Sequence, residues 1–431
     1  MNEYRPHFEC KELALSSSPY VYLPVNIPTY VVEVTHRDEI NGEMLQEALN
    51  RTLKRMPYLS DTLQIENGAV YYAVNPMPFE VGHTASLRRV GGAETNYHML
   101  DVTWNGNVIW FSMFHGFCDG QGINAFIETV LYYYYCMKDG VEYGSEGIRT
   151  DKGEMTEAEV AEPLDRQYPV SPDFQMPDRR ESLTPYHLPE IVRTQGNDVR
   201  EYGFRLSSEE FMHFVRSNGT SPAVAFSMLV GEAIQREHPD LDGPVVVNIP
   251  ISIRKMLGCE ETFKNCSSRA ILPVLGTPMD RLPFGERAAS LRGMLKQQMN
   301  PDLYRAIYNR LGAMYRQRME NASDYQEEIK KPSGFMTVCH DTFYIDYIGR
   351  FHNTGYSDSI QDVRFLCQPA ARNTLHLNII EHQGKFRVSC LACSDIVSLA
   401  GKIGEVMGEH GLNVECMPER CFQLPETDWR G

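Results

Sequence analysis

Residues 111–122 read Phe111-Ser-Met-Phe-His115-Gly-Phe-Cys-Asp119-Gly120-Gln-Gly122. The apolar run from Val108 to Phe114 predicts a strand that delivers the chain to His115. Three glycines then allow a tight loop. Ile123, Phe126, Ile127, Val130 and Leu131 recur at helical spacing and predict a helix beginning near Gly122. Imidazole is the side chain best suited to take a proton near neutral pH, so His115 is the candidate general base. Asp119, four residues on, is placed to pair with an arginine and hold the loop that aims the histidine. Gly120 is read as the position needing positive φ or a close backbone approach. On chemistry alone, a histidine beside a glycine-rich turn is more often structural than catalytic. A metal reading of His115 and Asp119 lacks a third ligand, so no metal site is expected.

Working outward, residues 20–35, YVYLPVNIPTYVVEVT, are rich in Val, Tyr and Thr and predict a strand. Met44, Leu45, Ala48, Leu49, Leu53 and Met56 predict a helix that Pro57 ends. Hairpins are predicted around Asn67-Gly68 and Asn105-Gly106. The tyrosines from Tyr132 to Tyr135 read as a packed helix face. Residues 140–200 lose periodicity and predict a linker with local helix near Thr156 to Ala161. Beyond them come a short strand (EYGFRLS), a helix capped at Ser207 or Ser208, and a helix with Pro222 at its first position. GPVVVNIPISI is a buried strand leading to Arg254, and SRAILPVL is another. Two helices, the strand DTFYIDYIGRF, a hairpin over TLHLNIIEHQGKFRVSCLAC and a last helix complete the chain. Strands and helices thus interleave twice, which predicts an α/β protein of two similar halves: 1–150, a crossover over 151–200, and 201–431.

With 431 residues the chain exceeds one ordinary core. A net charge of −16 argues against a nucleic-acid partner, which needs a basic footprint. The start, MNEYRPHFECKEL, has no apolar run of the secretory kind. The stretch from Phe126 to Met137 holds Glu128 and four tyrosines, too polar and short to span a bilayer. These readings predict a cytoplasmic protein with reduced thiols. Cys390 and Cys393 have metal-like spacing but lie in an alternating run, where residues three apart point to opposite faces.

The segment from His115 to Gly120 resembles the His-x-x-x-Asp-Gly motif of the coenzyme-A-dependent acyltransferase superfamily. That group holds chloramphenicol acetyltransferase-like enzymes, plant acyltransferases of the BAHD type, alcohol acetyltransferases and peptide-synthetase condensation domains. Condensation domains usually carry two adjacent histidines, and Phe114 stands here in place of the first. LQEALNRTLKRMPYLSDTL resembles the family's first helix, and VVVNIPISIRKML the segment that supplies an arginine, here Arg254. FKNCSSRAILPV resembles the stretch that follows. FYIDYIGRF resembles the strand ending in a Ser-Asn-x-Gly type pattern, altered here to Asp346-Tyr347-Ile348-Gly349. Element order follows the family over roughly the whole chain.

The resemblance implies two chloramphenicol-acetyltransferase-like halves, mixed sheets flanked by helices, with a tunnel between them and His115 midway along it. It implies acyl transfer from a thioester to a small-molecule hydroxyl or amine acceptor. Acyl-CoA serves as co-substrate, with an acyl carrier protein as the alternative, and no cofactor is bound. Asp119 and Gly120 would be structural, Asp119 paired with Arg254. Ser267, Ser268, Tyr347 and the Gly120 N–H are candidate oxyanion or substrate contacts. Rival readings are a condensation-like enzyme using carrier-bound substrates and a non-catalytic binding module of the same fold.

Overall fold

The computed structural model describes residues 5–24, 29–177, 184–189, 198–331, 341–351, 355–367, 375–393 and 395–430. Parts of two sequence readings, at 25–28 in the first strand and at 178–183 and 190–197 in the crossover, lie outside them.

The two-residue turn over Asn67 and Gly68, both at positive φ, joins Thr62–Glu66 to Ala69–Val74 as an antiparallel hairpin. Glu9–Leu13 adds a third strand to that small sheet. A second hairpin pairs Leu100–Asn105 with Val108–Met113, turning over Gly106 and Asn107. Its second strand pairs with Tyr30–His36, and a five-stranded sheet results, in the order Ile360–Leu366, Tyr30–His36, Val108–Met113, Leu100–Asn105, Gly82–His83. The edge strand Ile360–Leu366 comes from the C-terminal part of the chain and runs antiparallel to Tyr30–His36, Phe365 opposite Val32.

The first strand is shorter than the sequence predicts. Ser18–Val21 is a single helical turn with Pro19 near its start, where a missing N–H costs nothing, and the strand begins only at Tyr30. Asn41 caps the helix Gly42–Arg55, its side chain accepting from the Met44 N–H at 3.0 Å. That helix packs on Gly120–Asp139, whose Tyr132, Tyr133, Tyr134 and Tyr135 are all buried. Both helices, the five-stranded sheet and the later helix Pro301–Glu320 close one apolar core.

The second core lies on an eight-stranded mixed sheet in which Ser267–Leu275, Val245–Ser252, Phe343–Arg350, His376–His382, Lys385–Ala392 and Asp198–Ser207 are neighbours in that order. Val414–Cys416 and Arg420–Gln423 both pair with Asp198–Ser207. Phe343–Arg350 runs parallel to both of its neighbours. Pro222–Glu237 and Val397–Glu409 cover one face of this sheet. The other face turns toward the first core, into which it sends Ile380.

The crossover is better packed than its composition suggests. Thr156 and Glu159 form a capping box on Glu157–Val160. The buried Glu159 carboxylate accepts from Arg55 at 2.8 and 3.0 Å and from the Tyr58 hydroxyl at 2.8 Å. No helix among the described residues is long and apolar enough to cross a membrane.

Candidate functional site

The strand Val108–Met113 ends two residues before His115, and the helix Gly120–Asp139 begins five residues after it. Asp119 is the cap of that helix, with extended backbone, and its Oδ1 accepts from the Gly122 N–H at 3.1 Å. The same carboxylate takes a two-pronged contact from Arg254, Nη2 to Oδ1 at 2.7 Å and Nη1 to Oδ2 at 2.8 Å. A fourth donor, the Cys266 N–H, reaches Oδ2 at 3.0 Å. Asp119 and Arg254 are both buried. Burial pulls the Arg254 guanidinium down, but Asp119 outweighs it and holds the cation more firmly than usual. The rest of the guanidinium fork donates to the carbonyls of Thr262 and Lys264.

A second grip comes from Asn265. Its Nδ2 donates to the carbonyl of His115 at 3.0 Å and to that of Gly116 at 3.2 Å. Residues 254–266 therefore hold both the backbone at His115 and the carboxylate four residues later. The ring of His115 is half-buried. It stacks on Tyr20, with centroids 4.8 Å apart, and meets the edge of Tyr30 at 5.6 Å. Burial and the nearby Asp119 push the Tyr20 phenol up. Tyr30 is raised by burial and Asp346, so both hydroxyls stay protonated at neutral pH. His115 Nδ1 is buried with no hydrogen-bond partner among the described residues. Cys118 is a poor nucleophile here, since burial pushes its thiol far up and its Sγ lies 3.3 Å from Met113 Sδ.

The structure corrects the glycine reading. Gly120 has ordinary φ, and nothing lies within 4 Å of where its Cβ would sit. The close approach belongs to Gly122, where a Cβ would stand 2.0 Å from the carbonyl oxygen of Phe263. The sequence shows a glycine at both positions but not the backbone that crosses one of them.

Of the other candidates, Ser267 and Ser268 open the strand beyond Cys266 and are half-buried. The Ser267 carbonyl accepts from Tyr308, and the Ser268 side chain bonds to Tyr304. Tyr347 is not brought to His115, for its ring lies near Phe386 on the side of the second core. Sequence reasoning missed Tyr20, Tyr30 and Asn265 as neighbours of His115. Asn265 lay in the quoted stretch FKNCSSRAILPV and carried a side chain able to bind two carbonyls, which was the available signal.

No family model matches the sequence, and no curated protein matches it. Solved structures do match, over nearly the whole chain. TRI101 of F. sporotrichioides, solved with coenzyme A and T-2, aligns at TM-score 0.60 and 11% identity, covering 95% of this chain and 100% of that one. Polyketide synthase associated protein 5 of Mycobacterium tuberculosis aligns at TM-score 0.60 and 14% identity, over 94% and 98%. VibH, a condensation enzyme of non-ribosomal peptide synthesis, aligns at TM-score 0.53 and 11% identity, over 92% and 94%. The chain has the two-lobed, chloramphenicol-acetyltransferase-like fold that these proteins share.

Proposed function

We propose that this chain is an acyltransferase that moves an acyl group from a thioester, acyl-CoA, to the hydroxyl or amine of a small acceptor. His115 is its general base. The observation that carries this reading is the clamp on the His115 loop: an imidazole left half-open, its loop fixed by a buried Asp119–Arg254 pair and by Asn265. Such a loop positions one base without committing Asp119 to proton transfer, because the carboxylate is held by the Gly122 and Cys266 N–H groups and both Arg254 Nη atoms rather than by His115. His115 takes the acceptor proton as the acceptor's lone pair attacks the thioester carbonyl. The tetrahedral intermediate collapses, thiolate leaves, and the imidazolium returns the proton to it. This route requires no acyl-enzyme.

In the same proposal the two halves are 1–150 and 201–431, joined by 151–200, with the strand Ile360–Leu366 exchanged into the first half's sheet. Their junction is the substrate tunnel, in a cytoplasmic protein. Ser267 and Ser268 are the oxyanion candidates kept nearest the motif, one and two residues past the amide that binds Asp119. The likeness to VibH supports a second reading, in which the donor is bound to a carrier protein. The deciding experiment is thiol release from a panel of acyl-CoAs mixed with pooled alcohols and amines. Turnover with a free acyl-CoA supports the first reading. Turnover only with carrier-bound donor supports the second, and no thiol release from any donor is the result expected of a binding module.

A further inference from the structure

A separate cluster of reactive groups faces the His115 lobe from the eight-stranded sheet. On the strand Phe343–Arg350, Phe343 and Ile345 enter the second core, so Tyr344 and Asp346 point the other way. On His376–His382, Leu377 and Ile379 enter that core, so His376 and Asn378 share the face with Asp346. His376 Nε2 lies 2.7 Å from Asp346 Oδ2. Burial pulls His376 down, but Asp346 and a hydrogen bond with Cys367 outweigh it and raise the group to about 10. The imidazole is therefore protonated at neutral pH.

Cys367 follows the strand Ile360–Leu366, is half-buried and carries no disulfide. Leu366 pairs with Val31, which brings Cys367 level with Tyr30. The Tyr30 ring packs on Phe365 at 5.7 Å and on His115 at 5.6 Å, so one tyrosine separates the two sites. Asn378 gives a second, independent sign. It pairs in register with Asp346 and is 2% exposed, yet among the described residues neither its amide nitrogen nor its oxygen has a hydrogen-bond partner. Buried polar atoms are rarely left so, and their place beside Asp346 and His376 suits the polar atoms of a bound molecule.

We propose that Cys367, His376 and Asp346 form a second reactive site, at which Cys367 takes the acyl group of a thioester. The arrangement is nucleophile, imidazole and carboxylate, the third group fixing the second. The Cys367 sulfur attacks the thioester carbonyl carbon, and a new C–S bond forms. Cys367 reacts as the thiolate, its proton already held on the His376 imidazolium, which hands that proton to the departing sulfur as the donor's C–S bond breaks. One thiol and one thioester are consumed and one of each is produced, so no oxidant or other co-reactant is needed. The proposal shares its thioester substrate with the reading of His115 but not its catalytic base, and adds a covalent branch to the direct route.

The test has two arms on the full chain. In the first, limiting iodoacetamide at pH 7 is followed by peptide mapping. Cys416 and Cys421 are exposed and carry no disulfide, so they serve as internal standards. Cys367 is expected to alkylate at least 10-fold faster than either. Asp346→Asn should slow Cys367 by a similar factor and leave the two standards unchanged. Equal or slower labelling of Cys367, or no effect of Asp346→Asn, overturns the proposal. In the second arm, acetyl-CoA, butyryl-CoA and decanoyl-CoA are each added without acceptor. A hydroxylamine-labile acyl adduct is expected on Cys367, absent from Cys367→Ser and retained in His115→Ala. If thiol release depends on His115 while Cys367 stays unmodified by every donor, the inference fails and the reading of His115 stands. If Cys367 is acylated but no acceptor supports His115-dependent release, the reverse holds.

Discussion

Removing either member of the Asp119–Arg254 pair is expected to damage both fold and reaction. Arg254→Ala would leave the carboxylate, among the described residues, with the N–H groups of Gly122 and Cys266. Asp119→Ala would leave the guanidinium among neutral acceptors, the carbonyls of Thr262 and Lys264 and the side chain of Gln121. Their side chains are 5% and 6% exposed, so water does little to compensate. Breaking a buried pair by one partner costs roughly 3–5 kcal/mol, and the Asp119 variant also gives up a helix cap, about 1 kcal/mol. The double variant frees no unpaired charge. It should fall short of the summed single losses by about 2–3 kcal/mol, at the upper end of measured couplings. Asp119→Asn retains an oxygen for the cap and should lie between wild type and Asp119→Ala. The assay is a double-mutant cycle on urea unfolding, run beside thiol release. Losses that add to within about 0.5 kcal/mol would refute the coupling drawn from this geometry.

Gly122→Ala should destabilise the protein by at least about 1–3 kcal/mol, because its Cβ meets the Phe263 carbonyl, whereas Gly120→Ala should be neutral or slightly stabilising. Thermal melts of the two variants separate these outcomes, and an equal effect at both positions contradicts the assignment. His36 is buried against the Tyr135 hydroxyl, and burial lowers it from 6.5 to about 3. The unfolded chain takes this proton first as pH falls. The stability that His36 contributes is thus complete above about pH 6.5 and is lost toward pH 3, at about 1.4 kcal/mol per pH unit. His36→Phe should shed that part of the acid dependence, read as urea midpoints from pH 7 to pH 4.5, and an unchanged slope would show that His36 is not the group responsible.

Much of this fold was legible because its signals are local. Asn67-Gly68 supplies the two positive-φ residues its turn requires, and the periodic apolar positions of Gly42–Arg55 mark a helix. Asp119 and Arg254 were legible for another reason: their segments resemble those of the acyltransferase superfamily, and a carboxylate held in an interior wall needs a cation. What escaped depends on neighbours distant in sequence. Ile360–Leu366 joins a sheet whose next strand is Tyr30–His36, and no local pattern records which sheet a strand enters. Tyr20 was read as part of a strand, although Pro19 fits better at the start of a helical turn. The need for glycine at 122 is set by the Phe263 carbonyl, which only the folded chain brings there. The pairing of Asp346 with His376 follows from two parallel strands lying side by side, a register their sequences do not announce.

The account rests on one imidazole, so its most direct test is His115→Ala, checked for an unchanged melting curve and assayed for acceptor-dependent thiol release with the best donor from the acyl-CoA panel. Loss of the general base predicts a fall of about 10²–10⁴ in rate. A folded His115→Ala protein that turns over at the wild-type rate would contradict the mechanism.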